Sequence, residues 1–226
     1  MKKSLLITLA VLTVSMPLSA NAYDLSFNDI NPLFNYATNT QSANTTADAI
    51  ATSAANTMAN LNSQIATTDN AVQNSFLTLV SLLSSQKEAQ TIKSKLSAIT
   101  TNASATQASK SNALAQLMNT YASSLVTNKT SVVSNISKLS AAEKSTLVNT
   151  LAALAQNEYN YLNIAGEYTK AAANAARLSQ NMNNVSNSLL AAKETATTIR
   201  NNAQALKNVV TQASALAKAS GLTVNM

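Results

Sequence analysis

The sequence predicts an all-α protein, an elongated antiparallel bundle or coiled coil of three to four long helices. Glycine and proline, the strongest breakers of regular structure, occur only twice each in 226 residues. Neither occurs between Pro32 and Gly166. Apolar residues recur in steps of three and four along much of the chain, which is the period of one helix face. A fold built of strands would need many more turn residues, so helix is the expected structure.

The first 22 residues have the features of a secretory signal peptide. Lys2 and Lys3 precede the apolar run Leu5–Leu12, and Ala20–Ala22 supplies the small residues of a cleavage site. The run is too short to span a bilayer, so we expect no transmembrane anchor. The chain contains no cysteine, which excludes a lipidated amino terminus and a disulfide framework. We therefore expect a mature chain beginning at Tyr23, in the periplasm or outside a bacterial cell.

Residues 23–43 are predicted to form a non-helical segment rich in aromatic residues. This segment holds four of the nine aromatic side chains of the chain, namely Tyr23, Phe27, Phe34 and Tyr36. One interpretation is a cap whose rings cover one end of the bundle against Tyr159, Tyr161 and Tyr168. The other is an exposed anchor for a partner protein or a membrane interface. The sequence favours the cap.

Residues 44–220 are expected to form a single helical bundle that begins with one helix over residues 44–98. The run 100–111 is small and polar apart from one lysine, so it has nothing to bury and is predicted to hold the first turn. A second helix is predicted over residues 114–139. The apolar residues along one face of a helix, which we call its seam, are in the first helix Ile50, Ala54, Met58, Leu61, Ile65, Val72, Phe76, Leu79, Leu83, Ile92, Leu96 and Ile99.

A new helix or a kink is predicted at Ser140. Ser140 and Glu143 have the spacing of a capping box, in which the two side chains satisfy each other's backbone N–H groups. Gly166 then leaves two paths open. The chain could close a tight hairpin there, because glycine favours the position just past a helix end. Alternatively, one helix could run from residue 141 to 220, because a glycine within a helix costs only about 1 kcal/mol against alanine.

The most regular seam lies between Tyr168 and Ser220. Fourteen apolar positions from Ala171 to Ala217 alternate steps of three and four, and many of them are alanine, which lets a partner helix approach closely. The stretch would form a helix roughly 80 Å long at about 1.5 Å per residue. Gly221 is predicted to end it, with Leu222 folding back on the last turn and residues 221–226 forming a tail.

Charge is distributed unevenly along the chain. Residues 23–86 contain four aspartates and no basic residue, whereas all 13 basic residues of the predicted mature chain come later. Lys193, Arg200 and Lys207 recur every seven residues and should form one basic stripe. The stripe could contact an anionic envelope polymer, lipid head groups or nucleic acid, or it could be a solvated flank paired with acids on a neighbouring helix. The low charge content, 11% of residues, favours the flank.

The composition argues against an enzyme. The chain lacks histidine and cysteine, which removes the commonest general base, the thiol nucleophile and the usual zinc ligands. The nine acids are scattered, with only Asp24 and Asp29 near each other, and two glycines cannot build a phosphate-binding loop. We therefore assign no catalytic, cofactor-binding or metal-binding residue and expect no cofactor.

Two functional classes remain open. The first is an exported structural or interaction protein, a long helical rod that binds a partner protein, assembles with itself or contacts an anionic envelope polymer or lipid surface. The second is a membrane-active helical bundle, such as a pore-forming toxin component. Its best insertion segment would be Phe76–Leu83, which also fits an ordinary buried helix turn. Nucleic acid is a poor fit, because no basic patch is interleaved with aromatic residues.

Overall fold

The fold consists of α-helices. The structure, a computed structural model, describes residues 45–105, 107–178 and 185–224. These ranges contain no strand, and their six helices confirm the predicted all-α class. The helices are α1 (Thr45–Leu83), α2 (Gln86–Thr101), α3 (Gln107–Thr127), α4 (Lys129–Lys138), α5 (Ala141–Leu178) and α6 (Val185–Ala219). The predicted signal peptide and the aromatic segment 23–43 lie outside the described residues.

Helices α5 and α6 occupy the centre of the packing. Helix α5 packs along α1 on one side and along α6 on the other, and α6 packs in turn along α3. The shorter α2 bridges α1 and α3, and α4 contacts α1 and α6. Tyr161 on α5 reaches Asp69 on α1, whereas Tyr168 reaches Asn62, so α1 and α5 run in opposite directions.

The buried face of α6 is rich in alanine. Ala196, Ala203, Ala205, Ala213 and Ala217 are at most 1% exposed, and Ile199, Leu206 and Val210 fill the gaps between them. Apart from Ala205, these residues belong to the seam that the sequence predicts. Because small side chains allow close approach, α6 can pack against both α3 and α5, and its orientation about its own axis is fixed.

The first predicted helix, residues 44–98, is divided in the structure. Helix α1 ends at Leu83, and α2 begins at Gln86 after Ser85, whose extended backbone makes it an N-cap. The Ser85 hydroxyl accepts a hydrogen bond from the Glu88 N–H at 3.3 Å. Ser85 and Glu88 have the same spacing as the capping box that the sequence analysis uses at Ser140. Local capping therefore ends a helix that the hydrophobic period alone would continue.

The predicted turn near residues 100–111 and the predicted second helix are each modified. Asn102 ends α2, and its side chain accepts a hydrogen bond from the Ser104 N–H at 3.1 Å. Helix α3 starts at Gln107, which is earlier than the sequence predicts. The second helix is interrupted at Asn128, whose φ and ψ of −99° and 21° separate α3 from α4. The expected count of three to four long helices is therefore not confirmed in the ranges described.

The capping box at Ser140 is confirmed. The Ser140 N–H donates to a Glu143 carboxylate oxygen at 2.8 Å, and the Glu143 N–H donates to the Ser140 hydroxyl oxygen at 3.3 Å. These hydrogen bonds, first of all the one from the Ser140 N–H, lower the pKa of Glu143. Helix α5 accordingly begins at Ala141.

Helix α5 runs straight through Gly166, so the hairpin alternative at this residue is wrong. The other alternative, one helix from residue 141 to 220, is also wrong, because α5 ends at Leu178 and α6 begins at Val185 and packs alongside it. The 80 Å helix expected from Tyr168 onward is likewise divided. Three of the six residues 179–184 are asparagine, a residue that favours turns over helix interiors.

The predicted helix stop at Gly221 is confirmed. Gly221 has a φ of 86°, in the left-handed region that favours glycine. Its N–H donates to the Lys218 carbonyl at 3.0 Å, and the Leu222 N–H donates to the Ala217 carbonyl at 3.0 Å, which is the Schellman pattern. Leu222 packs against the core, as the sequence predicts.

Replacing each of the two glycines of the predicted mature chain with alanine should change the free energy of unfolding in opposite directions. Gly221→Ala is expected to lower the free energy of unfolding by about 1–2 kcal/mol, because the left-handed backbone strains a Cβ although nothing lies within 4 Å of it. Gly166→Ala should raise it by up to about 1 kcal/mol, because it replaces a glycine inside a helix where a Cβ also meets nothing within 4 Å. Urea unfolding followed by circular dichroism measures both, and shifts of the same sign would contradict this interpretation.

Candidate functional site

The basic stripe predicted on the last helix is exposed on α6. Lys193, Arg200 and Lys207 are all exposed, and Lys218 is exposed as well. At 3.6 residues per turn, these four residues lie within about 40° of one another around the helix axis. The distance from Lys193 to Lys218 along the axis is about 37 Å at 1.5 Å per residue. We call these four residues the basic face of α6.

Lys218 is absent from the predicted stripe because it breaks the sevenfold spacing. It follows Lys207 by eleven residues, which is close to three full helix turns. A search for a common helix face would have found it, whereas a search for a heptad period does not.

The side chains between these cations are polar, apart from the small exposed Ala215. Thr197, Gln204 and Thr211 are exposed on the same side of the helix. The Thr197 hydroxyl donates to the Lys193 carbonyl at 2.9 Å and so keeps its acceptor positions. The Gln204 amide donates to the side chain of Asn208 at 3.0 Å. The exposed surface of α6 is therefore a polar strip with regularly placed positive charges.

The expected pairing of this stripe with acids on a neighbouring helix is not seen in residues 45–105, 107–178 and 185–224. Across these ranges the one ion pair joins Lys170 to Glu167 on α5, at 2.6 Å. Arg200 instead donates to the neutral hydroxyl of Thr169 at 2.8 Å, which holds its guanidinium against α5. Glu194 on α6 lies about a third of a turn away from the basic face. None of the described acids therefore forms an ion pair with this face.

A buried polar layer lies inside the helices, where α1, α3, α5 and α6 meet. The Tyr161 hydroxyl donates to the Asp69 carboxylate at 2.5 Å, and Asp69 is only 2% exposed. The Asn202 amide donates to the Ser111 hydroxyl at 2.6 Å, again between buried side chains. Asp69 and Ser111 border the same small cavity. We call these two pairs the polar layer.

The cavity beside the polar layer is too small for a substrate. The volume open to the centre of a water molecule is about 10 Å³, which holds about one water. Lys110 lines it and donates to the Thr100 carbonyl at 3.3 Å. The other lining residues are Asp69, Gln73, Leu96, Ile99, Thr100, Ser111 and Leu114. The polar layer therefore joins helices and does not form a binding pocket.

Two of the three tyrosines that the cap interpretation places at the end of the bundle lie in the core. Tyr161 and Tyr168 are fully buried against α1, where Tyr168 donates to the Asn62 side chain. Tyr159, by contrast, is 60% exposed. Burial raises the pKa of Tyr168, so its hydroxyl stays a donor at neutral pH. Residues 23–43, whose rings the cap interpretation packs against these tyrosines, lie outside the described residues, so the cap stays a prediction.

The apolar segment Phe76–Leu83 is part of the core. Phe76, Leu79 and Leu83 are fully buried, and Val80 is 1% exposed. The Phe76 ring meets the Tyr121 ring edge-on, with centroids 5.4 Å apart and planes at 85°. Burial also raises the pKa of Tyr121, against the effect of its hydrogen bond with Ser84. None of the helices in the described ranges is long and apolar enough to cross a membrane.

The remaining predicted features are either outside the structure or not brought together. Asp24 and Asp29 lie outside the described residues. Among the residues that the structure does describe, no three Asp or Glu side chains come close enough to hold a metal ion. No site residue was assigned from the sequence, and the exposed groups worth testing are those of the basic face.

The chain was also compared with known proteins. It matches no protein-family description, no curated protein and no solved structure.

Proposed function

We propose that this chain is an exported, non-enzymatic interaction protein, a long helical rod that holds a partner in the cell envelope or outside the cell. In this proposal the long helices form an elongated antiparallel bundle. The rod keeps a partner at a distance or holds it along its length, and the outer face of α6 makes the contact. Export is inferred from the charged, apolar and small-residue pattern of residues 1–22.

The lengths of the helices support a rod. Helices α1, α5 and α6 contain 39, 38 and 35 residues, which correspond to about 58, 57 and 52 Å. These three helices pack side by side in the order α1, α5, α6. The lack of histidine and cysteine, together with a cavity that admits one water, supports a binding role over catalysis.

The observation that carries the proposal is the basic face of α6. Four exposed cations lie on one side of the helix and have no described acid paired with them. A solvated flank of a structural helix normally mixes both signs of charge, because neighbouring charges of one sign repel. A row of one sign attracts a partner of the opposite sign and orients it during the encounter.

The test is envelope retention of the full chain produced with its own leader in a bacterial host. We expect the purified protein to have the mass of a chain beginning at Tyr23, and a fraction of it to sediment with the envelope in a salt-dependent manner. Changing the basic face to glutamine should release that fraction. The matched control removes four exposed cations from α2 and α4, and it should stay with the envelope: Lys87→Gln, Lys93→Gln, Lys95→Gln and Lys129→Gln.

Two results would contradict the proposal. An unprocessed chain that stays in the cytoplasm would show that the chain is not exported. Equal retention of the two quadruple variants would show that the basic face does not carry the contact, because both variants lose the same charge.

The alternative, a membrane-active bundle, has weaker support. Its candidate insertion segment Phe76–Leu83 would have to leave the core before it could reach lipid, and the apolar contacts that it makes there oppose this step. An interaction between copies of the chain remains compatible with the rod proposal, and sedimentation at micromolar concentration would separate the two arrangements.

A further inference from the structure

We propose that the basic face of α6 binds a linear acidic polysaccharide lengthwise. This inference rests on the proposed function, because it names the chemical class of the partner that the rod holds. The partner would be an extended sugar chain with carboxylate, sulfate or phosphate groups at intervals, lying parallel to the helix axis.

The shape of the charged surface favours a linear partner. The four cations form one row about 37 Å long, with consecutive spacings of about 10, 10 and 16 Å along the axis. A row one side chain wide can follow an extended chain, whereas a flat membrane would contact a broad face of several helices. The spacing is also sparse, which matches a polymer with one charge every few sugar units.

The composition of the row argues against a lipid surface. Helices that lie on membranes bury apolar side chains between head groups and acyl chains. The exposed residues between the cations of α6 on this side are threonine and glutamine, with one alanine, Ala215. Among the side chains that the structure describes, which on α6 are those from Lys193 onward, the exposed large apolar ones are Val126 on α3 and Tyr159 and Leu162 on α5.

Nucleic acid fits the row less well than a polysaccharide does. Duplex DNA carries one charge for about every 1.7 Å of its axis, which is several times denser than the cations of α6. Single strands are held by aromatic side chains on which bases stack, and the basic face contains none.

A sugar chain also matches the polar groups of the row. Thr197, Gln204 and Thr211 offer hydroxyl and amide groups between the cations. Sugar hydroxyls can both donate and accept hydrogen bonds, so they can pair with each of these side chains. Arg200, held against Thr169, presents a guanidinium of restricted freedom to an anionic group.

The experiment measures binding of a fluorescent octasaccharide, in which neutral and uronic acid sugars alternate, to the purified full chain by fluorescence anisotropy. We expect affinity that falls as salt rises, and a much weaker interaction with a disaccharide of the same repeat, because a short ligand reaches only one cation. The same octasaccharide with its carboxylates reduced to alcohols should not bind measurably. Equal binding of the reduced and the acidic octasaccharide would overturn the proposal.

Two quadruple variants that lose the same charge distinguish binding at the basic face from nonspecific attraction to a basic protein. The variant Lys193→Gln, Arg200→Gln, Lys207→Gln and Lys218→Gln should bind about tenfold to a hundredfold more weakly, as expected for the loss of four exposed charge contacts. The control quadruple variant of α2 and α4 should stay within about twofold of the unchanged chain. Circular dichroism should show the same helix content in both, since all eight side chains are exposed. Equal weakening of the two variants would overturn the proposal.

Duplex DNA and vesicles containing anionic phospholipid are measured in parallel. Tighter binding of either one through the basic face would overturn the polysaccharide assignment and identify the other partner class. If the basic-face variant is no longer retained on the envelope but the unchanged chain does not bind the octasaccharide, only the partner class is wrong. If the variant stays on the envelope as well, the proposed function itself is wrong.

Discussion

Replacing Phe76 with alanine is expected to lower the free energy of unfolding by about 3–5 kcal/mol. The Phe76 side chain is fully buried in α1, and its ring packs edge-on against Tyr121 of α3. Truncation removes apolar surface and leaves a cavity that the neighbouring helices can fill only in part. Since proteins of this kind are stable by about 5–15 kcal/mol in total, the loss should be visible as a large shift of the urea midpoint.

The control for this prediction is Tyr159→Ala on α5. Tyr159 is also aromatic, but it is 60% exposed, so its loss should change the free energy by about 0.5 kcal/mol or less. Comparable losses in the two variants would mean that Phe76 does not lie in a packed core.

The burial of this segment also changes how membrane activity should be tested. A charge placed at Leu79, a fully buried position, would leave an unpaired charge in the core and unfold the protein. If membrane activity were measured as dye release from vesicles, inactivity of such a variant would therefore say nothing about insertion, because the variant would be unfolded. A cross-link between α1 and α5 that prevents the segment from leaving the core would be the informative change.

Tyr161→Phe is expected to cost about 1–3 kcal/mol, the value typical of leaving a buried hydrogen-bonding group without its partner. Tyr161 donates to the carboxylate of Asp69 at 2.5 Å, and both side chains are buried. The substitution keeps the ring and removes the hydroxyl alone. The cost arises because the Asp69 carboxylate loses a donor in a place with little room for water to replace it.

Tyr168→Phe is the matched control. Tyr168 lies on the same helix, two turns away, and is equally buried, but it donates to the side-chain oxygen of Asn62, which is only half-buried. Its hydroxyl should be worth about 0.5–1.5 kcal/mol. Equal losses at Tyr161 and Tyr168, measured by urea unfolding at neutral pH, would show that the deeper burial of Asp69 adds nothing to the contact.

Local signals predicted the helix ends only where they were sought. The capping box at Ser140 and the glycine stop at Gly221 both have a short sequence pattern with a known geometry, and both are confirmed. Ser85 and Glu88 carry the same capping pattern inside a continuous apolar period. The spacing of the apolar residues indicates which helix face is buried. It does not change when one helix ends and the next begins with its apolar residues in step. The spacing therefore predicts one continuous helix.

The reversal between α5 and α6 shows the same limit. The seam of alanine and leucine continues across residues 179–184 in the sequence, although the helices on either side run back along each other. A seam specifies a buried face and leaves open which helix covers it. The asparagine content of the stretch was the local signal that could have identified the reversal.

The polar layer could not be predicted from the sequence at all. Asp69 and Tyr161 are 92 positions apart, and Ser111 and Asn202 are 91 apart. Neither pair has a local pattern, because the pairing depends on the register of whole helices. The basic face was largely predictable, since three of its four members lie on a heptad of one helix and need no tertiary information.

The spacing of the tyrosines gives the contact between α1 and α5 a mechanical property. Asn62 and Asp69 are seven residues apart, as are Tyr161 and Tyr168. If a lengthwise pull slid α5 along α1 by one heptad, about 10 Å, Tyr168 would arrive at Asp69 while Tyr161 would face Phe76, which offers no acceptor. Intermediate positions would match neither pair. Under tension we therefore expect the two helices to resist shear in discrete steps of one heptad, and this contact to hold its register until a whole step is forced.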